Sequence, residues 1–162
     1  MALLAVKVDG LALDLLTNSP VVILSHPESD KQLPIWIGPA EAGAIAMELS
    51  NIESKRPMTH DILKTIISVL SAKVEKIAVT ELKEQTYYAR IWLKCNGVVH
   101  EIDARPSDSI ALALKIKAPI FAEESLFTSS VPDMPAEMKA DSESLADRLK
   151  RINPEDFGKY SL

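Results

Sequence analysis

The stretch from Thr86 to Leu114 constrains the fold more than any other. Thr86 to Cys95 alternates, with Ala89, Ile91, Leu93 and Cys95 on one side and Tyr88, Arg90, Trp92 and Lys94 on the other. That period of two marks an extended strand. Asn96-Gly97 is a two-residue hairpin signal, and Val98 to Asp103 returns as a second strand. A charged corner, Asp103-Ala-Arg105-Pro106-Ser-Asp108, then leads into the alanine- and leucine-rich segment ending at Lys117. Proline suits the first position of a helix and disrupts its interior. Pro106 therefore marks a helix start directly behind a strand.

The rest of the chain repeats that grammar. Leu3 to Leu13, Val21 to Leu24 and Leu33 to Ile37 read as an antiparallel meander, punctuated by Asn18-Ser19-Pro20 and by His26-Pro-Glu-Ser-Asp30. Gly38-Pro39-Ala40-Glu41 then opens a small-residue helix, with Gly38 as cap and Glu41 in the first turn. Ile45, Leu49 and Ile52 are its expected core stripe, and Gly43 suggests close approach of another backbone. Thr59 to Leu70 places Ile62, Leu63, Ile66, Ile67 and Leu70 at helical spacing, an apolar face broad enough to need covering. Lys73 to Leu82 is a strand, and Lys83-Glu-Gln85 a hairpin-length turn. Ile120 to Phe127 reads as a short strand and a helical turn. Together these predict an α+β fold: a mixed, largely antiparallel sheet of about six strands packed with three helices. Residues 1–127 form the expected domain. Residues 128–162 form an acidic, proline-interrupted tail, with an amphipathic helix expected over 136–152.

Gly38-Pro39-x-Glu41 and Arg105-Pro106-x-Asp108 echo each other. Both end a strand, start a helix on proline and follow with a carboxylate. The match is too short to establish a duplication.

No apolar run reaches the roughly 20 residues of a membrane helix, and the first residues lack the basic start of a signal peptide. The single cysteine, Cys95, rules out an internal disulfide and any Cys-rich metal motif. A cytoplasmic location is the default expectation. The net charge of −5 argues against tight nucleic-acid binding. The acidity is concentrated in the tail, however, and the body is nearly neutral. Phosphate-binding glycine loops, nucleophile elbows and paired zinc-site histidines do not occur.

Three sets of side chains could carry chemistry. Asp103, Arg105 and Asp108 combine two carboxylates with a guanidinium. They could surround a phosphate or hold Mg²⁺ or Mn²⁺, which is equipment for phosphodiester cleavage. His60 and Asp61 stand at a helix start, where His60 could act as a general base. Glu41 is the third candidate. Each has a plain alternative, helix capping and local ion pairing, and spacing alone favours it.

Four segments in order resemble the bifunctional nuclease family: Leu33-Pro-Ile-Trp-Ile-Gly38 with Glu41-Ala42, Arg56-Pro57-x-Thr59-His60-Asp61, Asp103 to Ala113, and Ala118-Pro119-Ile120. The resemblance covers residues 1–127. It implies a compact α+β domain and, for some members, cleavage of both RNA and DNA. The combined expectation is a low-specificity nuclease assisted by a divalent metal, Mg²⁺ or Mn²⁺. Glu41, Asp103 and Asp108 would hold the metal and Arg105 the phosphate. His60 and Asp61 complete the catalytic set. RNA or DNA would bind weakly, as substrate. The other expectation is a non-catalytic interaction module, and in either case the chain is expected to form a homo-oligomer.

Overall fold

The computed structural model describes residues 1–129 and 149–151. The chain begins with a three-stranded antiparallel meander: β1 (Leu3–Asp14), β2 (Ser19–Ser25) and β3 (Gln32–Trp36). The β1–β2 register slips between Val8 and Gly10. Such a bulge redirects the side chains beyond it, and Leu11, Ala12 and Asp14 are all buried. Asp14 is a buried carboxylate with partners: Trp36 Nε1 donates to it at 2.8 Å and the Leu16 amide at 3.0 Å. Gly38 caps α1 (Pro39–Leu49), with Pro39 at its first position. Ala42, Gly43, Ile45 and Ala46 form its buried side. Ile52, expected in the core, lies beyond the helix and is 43% exposed. The helix ends at Leu49 and Asn51 takes a positive φ, so the stripe stops before reaching it.

After α2 (Thr59–Val69) the same order recurs: β4 (Lys73–Lys83), β5 (Thr86–Cys95) and β6 (Val98–Ala104), again antiparallel neighbours, run into α3 (Pro106–Ile116). Asn96 and Gly97 both have positive φ, as the favoured hairpin turn requires. Arg105 caps α3, and Pro106 is its first residue. Lys117, in the left-handed region, ends it, and the Ala118 amide bonds back to the Ala113 carbonyl. The two echoing segments thus close two equivalent strand–strand–strand–helix units.

The sheet order is β3-β2-β1-β7-β4-β5-β6. The four-residue β7 (Ile120–Glu123) pairs antiparallel with β1 and parallel with β4, joining the two units. A short α4 (Leu126–Ser129) follows. Beyond β7, Ala12–Asp14 of β1 pair with β8 (Leu149–Arg151). This corrects the helix expected over 136–152 at the described residues: β7 stops short along β1, and β8 takes the open backbone groups beside it. The rest of that segment lies outside the described residues. The fold is α+β as expected; among the described residues there are three main helices, and the sheet has seven strands along its path plus β8.

α1 packs on β1 and β2, α3 on β4 and β5, and the two helices pack on each other. One core runs beneath them, including Val22, Leu24, Leu33, Ile45, Ile77, Val79, Ile110 and Ala122. Each Val, Leu or Ile among them contributes about 1.5–3 kcal/mol of burial. The small residues of α1 allow its approach to α3 within the chain. α2 leans on α3 but has no buried residue. Its apolar face, expected to cover core, faces solvent.

Candidate functional site

The starts of α1, α2 and α3 meet around an open cleft of about 770 Å³. Arg105 is the hinge of the arrangement. Its Nε donates to Asp108 Oδ2 at 2.7 Å and its Nη1 to Glu41 Oε1 at 3.1 Å. The two proline-started helices are therefore tied together at their first turns. Gly38 leaves room for Glu41 to fold back: a Cβ at Gly38 would lie 2.2 Å from Glu41 Oε2. His60, on the first turn of α2, closes the other side, with Nε2 3.2 Å from Asp108 Oδ1. Asp108 thus takes the guanidinium on one oxygen and the imidazole on the other. Burial works to raise its pKa, but the Arg105 and His60 bonds and charges prevail and hold it below the usual carboxylate range. The Arg105 guanidinium is stabilised in turn, chiefly by Asp108.

A second polar knot lies deeper. Lys115 Nζ contacts Asp61 Oδ1 at 2.5 Å and also Glu48. The Lys115 bond and the donated amide of Met58, at 2.8 Å, hold the Asp61 carboxyl below its usual pKa. Burial would lower the Lys115 pKa, but the two carboxylates outweigh it and raise it. Lys115 and Glu48 are absent from the sequence-based candidates. A signal existed: Glu48 follows Glu41, and Lys115 follows Asp108, by seven residues. That spacing is two turns along one helix face.

Of the expected site residues, Glu41, His60, Asp61, Arg105 and Asp108 line this cleft, and Asp103 is not among its lining. The reason is strand alternation. Ala104 pairs with buried Ala89, on the face where Ile77 and Ile91 join the core, whereas Asp103 pairs with Arg90 on the opposite face. Arg90 and Trp92 on that face bond to Glu101, and Lys76 sits 4.7 Å from the Trp92 ring centre. The expected metal set, Glu41, Asp103 and Asp108, is therefore divided between two faces of the sheet. Glu41 and Asp108, the two of that set on the cleft lining, are bridged by Arg105. Among the described residues no three His, Cys, Asp or Glu side chains are grouped as metal ligands.

Chemically, the cleft offers a planar cation at its mouth and an imidazole held by a carboxylate. His60 Nδ1 has no protein partner among the described residues. Lys55, Lys64 and Lys117 stand on the lining. No helix among the described residues is long and apolar enough to cross a membrane.

A family model described as the bifunctional nuclease domain matches residues 22–134. An uncharacterised protein of Mycobacterium tuberculosis is 34% identical over 161 residues, spanning 94% of this chain and 96% of its own length. Bifunctional nuclease 1 of Oryza sativa subsp. japonica is 29% identical over 103 residues, 62% of this chain and 31% of the plant protein. Bifunctional nuclease 1 of Arabidopsis thaliana is 26% identical over 105 residues, again 62% of this chain and 32% of its own length.

Proposed function

The chain belongs to the bifunctional nuclease domain family, and from that premise we propose that it hydrolyses phosphodiester bonds of RNA and DNA, with low specificity, in the cleft around Arg105. The observation that carries this assignment is the convergence of His60 and Arg105 on Asp108. In the reaction, the exposed Arg105 guanidinium pairs with the non-bridging phosphate oxygens. Asp108 holds the His60 ring by Nε2, which leaves Nδ1 to take a proton from the attacking water. The new P–O bond forms as the bond to the leaving oxygen breaks, and that oxygen takes a proton from solvent water, giving one phosphate monoester end and one hydroxyl end. Asp108, half-buried beside it, stabilises the imidazolium that results.

No step is assigned to Mg²⁺ or Mn²⁺, because a cation would need Arg105 to release Glu41 and Asp108. The test is cleavage of single-stranded RNA and DNA by purified protein with Mg²⁺, with Mn²⁺ and with EDTA. His60→Ala should lower the rate by roughly 10²–10⁴-fold, and Arg105→Ala should mainly weaken substrate binding. Activity that disappears in EDTA and in Glu41→Gln would return Glu41 and Asp108 to the role of ligands. Activity equal in His60→Ala and in the unaltered chain would remove the cleft from the chemistry. One observation favours a non-catalytic module instead: Glu41, Glu48, Asp61 and Asp108 each already have an ionic partner. That module should show no cleavage above a protein-free control.

A further inference from the structure

α2 has two unlike sides. His60, Asp61, Lys64 and Thr65 face the cleft. Ile62, Leu63, Ile66, Val69 and Leu70 are 48, 39, 49, 75 and 62% exposed. At about 3.6 residues per turn these two sets point in opposite directions. Only Ile67 reaches the core, and only in part. An isolated helix of this length is marginal in water, and its apolar side has no cover among the described residues.

We propose that this side of α2 is covered by the same side of α2 in a second copy of the chain, across a two-fold axis near Ile66. Two observations select that occupant. The first is area. The five side chains present on the order of 450 Å² of apolar surface, at the size that marks an interaction site. Interfaces are a little over half apolar, so this corresponds to about 800 Å² per partner, the usual size of a stable contact. The second is charge. None of the five is ionisable, so a two-fold contact of the face with itself sets no like charges together. An axis at Ile66 places Ile62 of one copy near Leu70 of the other.

The interface is independent of the nuclease assignment. It would nevertheless steady the helix that carries His60.

Light scattering coupled to size-exclusion chromatography tests it on the full chain. The mass should be twice 17.8 kDa, and the double variant Ile66→Glu/Leu70→Glu should return it to 17.8 kDa. The dimer dissociation constant should rise more than about 100-fold, with an unchanged far-UV spectrum, since both side chains already face solvent. In a Cys95→Ser background, Ile66→Cys should form a disulfide-linked dimer under mild oxidation. A wild-type monomer at about 100 μM, a concentration that reveals even weak dimers, would overturn the proposal. So would a dimer that survives the double variant, or one lost instead to Val98→Lys on the sheet edge.

Discussion

Lys115 is mostly buried, with 16% of its side chain exposed, and it binds carboxylates from two other elements, Glu48 of α1 and Asp61 of α2. Replacing it by methionine keeps the stem and strands both carboxylates. Lys115→Met should cost about 1–3 kcal/mol in urea unfolding. The pH dependence has two limbs. Asp61 is depressed on folding, so its contribution is present above its ordinary pKa of 3.8 and is lost as pH falls through the lower folded value. Lys115 is raised, so its contribution is complete below 10.5 and is lost as pH rises through the folded value. Unfolding titrations of Lys115→Met should therefore show both limbs flattened. At this scale the sequence identified most of the cleft, because Pro39 and Pro106 fix where each first-turn carboxylate stands. It misplaced Asp103, since proximity along the chain hides which face of β6 a residue takes. It passed over Lys115, whose partners are 54 and 67 residues away and on other helices.

The turns and helices carry their own strain and their own gaps. Glu84 and Gln85, between β4 and β5, both adopt positive φ, a conformation that costs a non-glycine residue roughly 1 kcal/mol. Asn96-Gly97 meets the same demand with suitable residues. Glu84→Asn/Gln85→Gly should therefore stabilise the chain by about 1 kcal/mol, read as a higher melting temperature. The hairpin was legible from its length, but nothing in Lys83-Glu-Gln85 announces the turn type. α2 shows a different limit. Its periodicity announces an apolar face but cannot say what meets it. Among the described residues nothing covers that face, whereas the small residues of α1 found their partner in α3.

Across the whole molecule, two strand–strand–strand–helix units share one sheet through β7. The echo at Gly38 and Arg105 hinted at the two units. The four residues of β7 carried no hint that they would stand between them, because a partner's identity is not written in a short apolar run. The joint has a measurable consequence. The two tryptophans fall in different units, Trp36 on β3 and Trp92 on β5. Trp36→Phe and Trp92→Phe variants should each report one half by fluorescence. Their urea midpoints, corrected for each variant's own stability, should coincide. Separate midpoints would mean that β7 does not couple the halves. The same joint sets a timetable during synthesis. Each meander can close soon after its own residues leave the ribosome, but the two have no shared register until Ile120–Glu123 follow. A nascent chain halted before Ile120 would hold two finished hairpin stacks whose inner strands, β1 and β4, still lack the neighbour between them.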